Sequence, residues 1–271
     1  MLLAQISDLH VKAERRLAYG VVDTASMLER CVAAIVALRQ RPDAVIATGD
    51  LVDLGRPEEY GLLREILSPL ASLPLYLLPG NHDEREALRR AFPDHGYLRQ
   101  WVPFVQWAID DHALRIVALD TLVPGEGRGE LCPSRLSWLD RTLAECARPT
   151  VVALHHPPFA TGIGHMDRIT LSNAPALDAV LRRHKHVERV IAGHLHRSIV
   201  CRFGGTIASV CPSPAHLVAL DLASDAADHF VLEPPGFQLH VQTASGLVTH
   251  DAYIGKFAGP YPFREGGRLI D

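Results

Sequence analysis

Residues 44–53 read Ala-Val-Ile-Ala-Thr-Gly-Asp-Leu-Val-Asp, a short apolar and β-branched run that stops at a glycine and an acid. An apolar run of this length between turn signals reads as a buried strand rather than a helix. The same shape recurs along the chain. Leu2–Ile6 leads into Ser7-Asp8-Leu9-His10, Leu75–Leu78 into Pro79-Gly80-Asn81-His82-Asp83, residues 151–154 into His155-His156-Pro157-Pro158, and Val187–Ala192 into Gly193-His194-Leu195-His196. A further run of the kind covers 116–119. Between several of them lie helical patterns: Leu28, Cys31, Val32, Ile35 and Leu38 behind an Asp23/Thr24 cap, Leu63, Ile66, Leu67 and Leu70 after Pro57-Glu58-Glu59, and Leu136, Leu139, Leu143 and Cys146 after Pro133. Alternating strands and helices predict an α/β fold with a largely parallel sheet covered by helices. The carboxyl ends of such strands are where ligands collect. Five strands delivering Asp, His and Asn to one edge is hard to explain by packing.

The rest of the sequence narrows the class. With 271 residues and 48% hydrophobic content, the chain is long enough for one substantial domain plus an appended module. Its 27 basic and 31 acidic side chains leave a formal charge of −4 and include no Lys/Arg run, which argues against a nucleic-acid polymer as partner. Fifteen histidines are the one compositional excess, and imidazole is a common ligand for zinc and iron-group ions. The five cysteines, Cys31, Cys132, Cys146, Cys201 and Cys211, are scattered and odd in number, so they read as reduced thiols. No leader segment and no membrane-length apolar run is evident, and the expected location is the cytoplasm. After His196 the texture turns to hairpins, 199–203 and 207–210 around Gly204-Gly205, then 238–242 and 247–250 around Ser245-Gly246. The expected organisation is a catalytic core over 1–196 and, over 197–271, strands completing a second sheet with a cap or oligomer-contact segment.

The series DxH, GD, GNHD, HHPP and GHxH, in this order, resembles the calcineurin-like metallophosphoesterase superfamily. Leu17–Asp23 (LAYGVVD), 55–60 (GRPEEY), 73–83 (LPLYLLPGNHD), HHPP and 253–260 (YIGKFAGP) are similar to its bacterial glycerophosphodiesterase and class III cyclic-nucleotide phosphodiesterase branch. The resemblance implies a four-layer α/β/β/α sandwich of two mixed sheets flanked by helices. It also implies two divalent ions, one held by Asp8, His10, Asp50 and His196 and the other by Asp50, Asn81, His156 and His194. A carboxylate with two oxygens suits the bridging role given to Asp50, and the mixed N/O donor set suits Mn, Fe, Co, Ni or Zn. No tyrosine near Asp50 stands where a purple acid phosphatase carries its iron ligand.

In that scheme a metal-bound hydroxide attacks phosphorus, and His82 donates to the departing oxygen with Asp83 orienting its ring. Tyr19, Asn81, His82 and His216 are the residues expected to contact substrate. His155, one residue before His156, is expected on the opposite face of the strand, either behind the ligands or as a structural residue. Asp53 reads either as a helix cap or as a hydrogen-bond partner behind the ligands, and the glycines Gly49, Gly80 and Gly193 as turns that let backbone approach the ions. The expected reaction is hydrolysis of small phosphodiesters. A protein phosphatase or other monoesterase is the alternative, but its GDxVDRG and GNHE motifs meet Leu54 in place of the arginine and Asp83 in place of the glutamate. A DNA nuclease lacks its basic surface here, and a metal-free interaction scaffold would not need every ligand position filled. The aromatic stretch 252–263 is expected to cover a neighbour's site or form a homo-oligomer contact.

Overall fold

The computed structural model describes residues 1–270. In chain order its strands are β1 (Leu2–Ile6), β2 (Ala44–Thr48), β3 (Leu75–Leu78), β4 (Trp107–Ile109), β5 (Arg115–Ala118), β6 (Thr150–Ala153), β7 (Val187–Ala192), β8 (Ile199–Phe203), β9 (Thr206–Val210), β10 (Leu217–Val218), β11 (Phe230–Val231), β12 (Gly236–Thr243), β13 (Gly246–Tyr253), β14 (Arg264–Glu265) and β15 (Arg268–Leu269). The helices are α1 (Thr24–Val36), α2 (Pro57–Leu67), α3 (Arg85–Ala91), α4 (Pro133–Ala144), α5 (Gly164–Asp167) and α6 (Ala174–Leu181).

Two mixed sheets result, in the orders β13-β12-β1-β2-β3 and β4-β5-β6-β7-β9-β8. The first is parallel across β1-β2-β3 with antiparallel β12 and β13 on one side, and the second has a parallel centre with an antiparallel strand at each edge. The inner strands are apolar on both faces because both faces are covered. Along β5 and β6 the alternation is visible in the packing. Ile116, Ala118, Val151 and Ala153 join the core shared with the first sheet, whereas Val117 and Val152 face α4 and α6 through Leu139, Leu143, Leu177 and Leu181. On the other side α1 and α2 bury Leu28, Cys31, Val32, Ile35, Leu63 and Ile66 against the first sheet. This is the four-layer sandwich.

Local chemistry sets the helix starts. Asp23 caps α1 by accepting the Ser26 N–H at 3.0 Å. Pro57 opens α2, and Glu59 reaches back to the backbone N–H groups of Leu54 and Arg56 at 2.9 and 3.1 Å. The β8–β9 hairpin turns at Gly204 and Gly205, with φ of +63° and +84°, the mirror-image turn that the strand twist favours.

The C-terminal strands divide between the two sheets rather than completing only the second. β8 and β9 extend the second sheet, but β12 pairs with β1, Gln5 opposite Gln238, and carries β13 outward on the first. A boundary at residue 196 therefore runs through both sheets. Beyond Tyr253 the chain forms an arm ending in the small β14–β15 hairpin, with Phe257, Tyr261, Phe263, Leu269 and Ile270 all exposed. No helix among the described residues is long and apolar enough to cross a membrane.

Candidate metal centre and active site

Asp8, Asp50, His155 and His194 each stand two residues beyond the end of a strand, respectively β1, β2, β6 and β7. Asn81 follows β3 by the short Pro79-Gly80 turn. Parallel strands in stacked sheets thus bring these side chains to one edge. The backbone there is strained: Asp8, His10, Asp50, His194 and His196 have φ of +57°, +44°, +47°, +73° and +54°. A non-glycine residue in this region costs of order 1–3 kcal/mol and persists where surrounding structure enforces it, typically at functional sites. The glycines between them leave no room for a side chain. A Cβ on Gly80 would stand 2.2 Å from the Asp50 carboxylate and one on Gly193 2.0 Å from the Ser7 hydroxyl.

Three imidazoles are turned the same way by partners on their outer nitrogens. Nδ1 of His155 faces the Thr48 carbonyl at 2.8 Å, Nδ1 of His196 the His216 carbonyl at 2.9 Å, and Nδ1 of His10 the Asp53 carboxylate at 3.3 Å. Each Nδ1 therefore carries the proton and each Nε2 presents a lone pair inward. Those lone pairs converge on acceptors. Nε2 of His155 lies 3.1 Å from Asn81 Oδ1 and 3.3 Å from Asp50 Oδ2, Nε2 of His10 lies 3.3 Å from Nε2 of His196, and His196 Nε2 is 3.6 Å from Asp8 Oδ1. Nε2 of His194 is buried with no hydrogen-bond partner among the described residues. Lone pairs facing carboxylates at this range repel unless a positive charge sits among them, so the donor set fits divalent cations. Asp50 takes part in two of the candidate groups, one with Asp8 and His155, the other with His10 and His82, as a bridge requires.

Electrostatics agree. Burial lowers His196 to about 3 and holds His194 well below its usual range, so both rings are neutral and ready to ligate. At His155 burial is outweighed by Asp50 and Asp8, which raise it to about 9; a proton there occupies the place a cation would take. Asp50 is held well below the carboxylate range against the cost of burial by the imidazoles of His155, His82 and His10. Burial raises Asp8 to about 6.

Three readings from the sequence change. His155 does not point away from the site. β6 ends at Ala153, so the alternation that would put His155 on the far face no longer operates, and its side chain enters the centre. His156, buried beside the centre and grouped with His155 and His194 closely enough for the three to hold an ion, has both nitrogens hydrogen-bonded: Nδ1 with the Thr121 hydroxyl at 2.8 Å and Nε2 with the Gly127 carbonyl at 3.0 Å. Asp83 does not orient His82. Its carboxylate accepts from Leu51 N, Gly80 N and the Tyr60 hydroxyl, bracing the turn that carries Asn81. The His82 ring is instead held through Nδ1 by the backbone carbonyl of Asp53 at 2.8 Å, while the Asp53 carboxylate bonds His10 and Lys12. Asp53 is thus a hydrogen-bond partner of the centre, and α2 is capped without it.

Above the centre opens a cavity of about 390 Å³. His10, Asp50, Asn81, His82, His194 and His196 form its floor, and His216 and Tyr19 its side. The Tyr19 ring lies 4.9 Å from Phe230 and 5.2 Å from His216, and Tyr19 itself has φ +50°. Met166, Ile169, Val218, Asp228, His229 and Phe230 complete the wall; nothing in their sequence context pointed to them, because only the fold brings them over the site. Arginine and lysine are absent from the lining.

A fold of two stacked mixed sheets with Asp, Asn and His gathered at strand ends defines a metal-centred phosphoesterase architecture. The chain belongs to the calcineurin-like phosphoesterase family, whose family model matches residues 1–198. That family is one of divalent-metal enzymes. The chain is 40% identical, over the whole of both proteins, to a probable glycerophosphodiester phosphodiesterase GpdQ of Arcobacter nitrofigilis. It is 35% identical to the 3',5'-cyclic adenosine monophosphate phosphodiesterase CpdA of Pseudomonas aeruginosa, over 73% of this chain and 70% of that one. Among solved structures it superposes on a dimetal phosphatase from Danio rerio with a TM-score of 0.67 at 18% identity, covering 94% of this chain and 98% of the other.

Proposed function

We propose that the protein hydrolyses small phosphodiesters at a centre of two divalent cations, one held by Asp8, His10, Asp50 and His196, the other by Asp50, Asn81, His155 and His194. His155 takes the place that the resemblance implies for His156. The observation that carries the proposal is the inward convergence of imidazole lone pairs on Asp50 and Asn81. Bound cations would supply Lewis-acid neutralisation of the phosphoryl oxygens and lower the pKa of an attacking water. Mn, Fe, Co, Ni or Zn each suit the donors.

The chain's own groups do the rest. With Nδ1 committed to the Asp53 carbonyl, a His82 ring protonated at Nε2 can pass that proton to the departing alkoxide. Asp53 fixes both His82 and His10, and so couples the acid to the centre. Tyr19 and His216 wall the alcohol side. A diester brings one negative charge and a monoester up to two; without arginine or lysine in the lining, the second charge finds no side-chain cation beyond the acid His82. Relatives named for glycerophosphodiesters and for a cyclic nucleotide lend the same preference. Turnover of bis(p-nitrophenyl) phosphate against p-nitrophenyl phosphate by metal-loaded protein tests this, and a higher kcat/KM for the monoester overturns it.

The partner surface of the same proposal is the exposed arm beyond Tyr253, whose aromatic side chains suit a second copy of the chain. Light scattering of the intact chain, compared with one ending at residue 254, measures it; equal masses refute it. The five unpaired cysteines fit a reducing cytoplasm, which cell fractionation checks.

A further inference from the structure

A second, smaller cleft opens on the far side of His82. Its volume is about 270 Å³, and it shares with the main cavity only Asn81 and His82. One wall is the Leu54-Gly55 loop, the other the 122–125 turn, and the base is the start of α3 at Glu84 and Arg85. Both walls are fixed. Gly55, at φ +68°, sits so close to the 82–84 backbone that a Cβ there would meet Glu84 at 3.1 Å. The opposite turn is closed by Glu126 N–H to Val123 O at 3.1 Å, with Pro124 and then Gly125 at φ +78° in the positions such a turn prefers. Arg85 binds Asp120 through two bonds of 2.6 and 2.9 Å and the Leu122 carbonyl at 2.7 Å. His156 ties the same loop from behind through Thr121 and Gly127.

The charge the cleft presents is negative: Arg85 is spent on Asp120, and the exposed Glu84 carboxylate, which caps α3 by accepting the Glu86 and Ala87 N–H groups at 3.1 and 2.7 Å, disfavours an anionic arm. The lining is mostly polar, and the apolar side chains it turns to solvent are Leu54, 54% exposed, and Pro124.

We infer that this cleft is the binding subsite for the second alcohol of a linear phosphodiester. The phosphorus would sit over Asn81 and His82, where the two cavities meet, one ester arm lying under Tyr19 and the other between Leu54 and Pro124. The inference rests on the phosphodiesterase reading above and narrows it. A linear diester has two separate alcohols to place, whereas a cyclic nucleotide closes both ester oxygens on one sugar and fills only one side. The second arm is an uncharged alcohol of glycerol or short-alkyl size.

Leu54→Trp and Pro124→Trp, both at exposed positions outside the metal centre, narrow the cleft. Each is loaded with Mn, checked for unchanged Tm, and assayed on bis(p-nitrophenyl) phosphate and on 2',3'-cyclic AMP. The expected result is a KM about tenfold higher for the linear diester with the cyclic one within twofold of the parent protein, set by the loss of one arm's contacts. Calorimetry gives a readout independent of turnover: dibutyl phosphate should bind about tenfold more weakly to both variants, and inorganic phosphate equally well. An equal effect on linear and cyclic substrates, or none on either, overturns the subsite while the phosphodiesterase reading stands. Failure of the metal-loaded parent protein to cleave any diester overturns the parent reading and the subsite with it.

Discussion

Exchanging alanine for His155 and for His156 in turn separates a ligand from a brace. His155 turns its free nitrogen to 3.1 Å from Asn81 and 3.3 Å from Asp50, so His155→Ala removes a donor from one cation and leaves the other's set complete. Metal content should fall from two ions per chain toward one after dialysis. Loss of supporting partners alone costs about 10–100-fold in affinity or activity, so loss of a ligand should exceed about 100-fold in kcat/KM. His156→Ala removes two hydrogen bonds, to Thr121 and Gly127, and opens a hole under Gly129, whose Cα packs so closely that a Cβ would lie 2.5 Å from the ring. At about 1 kcal/mol net per bond and a further fraction for the hole, this comes to about 2–3 kcal/mol. For a chain of this size each kcal/mol moves Tm by about 2–4 °C, giving a drop of about 4–12 °C with both ions retained. Plasma emission analysis of dialysed protein and differential scanning calorimetry read the two quantities. Retention of both ions by His155→Ala together with loss of one by His156→Ala would refute the assignment.

His82→Ala should keep its metal and lose about 10²–10⁴ in rate, and the loss should be greater for an alkyl ester than for a p-nitrophenyl ester, whose leaving group needs no proton; equal losses would deny His82 the acid role. Tyr19 occupies the first central position of a mirror-image turn closed by Val21 N–H to Ala18 O, where asparagine is at ease and tyrosine is not. Tyr19→Asn should therefore stabilise the fold by about 1 kcal/mol while raising KM, and an unchanged KM would make the ring mere cover. His240 is fully buried between Gln5 and Thr249, and burial, with Arg189 nearby, lowers it to about 3. Because the folded value lies below the unfolded 6.5, its contribution is complete above that pH and is lost as pH falls from there toward about 3, by about 1.4 kcal/mol per unit. His240→Gln should flatten that acid limb in denaturant titrations, and an unaltered slope would place the acid sensitivity elsewhere.

The strands that carry the centre were legible because each is an apolar run broken off at a polar pair, Ser-Asp, Gly-Asp, Gly-Asn, His-His or Gly-His, and a buried strand ending at a polar edge gives that pattern. β4, α3 and α6 were not, since a strand of three residues and short helices have too few periods to stand out from loops. The destination of β12 was equally hidden: its alternation fixes which face is buried, but pairing with β1 depends on a contact across more than two hundred residues. At the site, the entry of the His155 side chain into the centre has a single physical root. Alternation of faces holds only while the chain is extended, and the prolines at 157 and 158 already announce that the strand has stopped. Counting from the strand end instead, Asp8, Asp50 and His194 all fall at the second position, and so does His155. Backbone pairing runs on past these ends, Asp8 N–H to the Gly49 carbonyl at 3.0 Å and Gly193 N–H to the His155 carbonyl at 2.9 Å, but φ of +57°, +47° and +73° at Asp8, Asp50 and His194 takes the chain out of the extended conformation and turns those side chains over the edge. The positions of the proposed ligands are therefore set by where the extended conformation ends, and on that reading the adjacent histidines differ in their partners: Nε2 of His155 faces Asn81 and Asp50, whereas His156 bonds Thr121 and Gly127 of a loop.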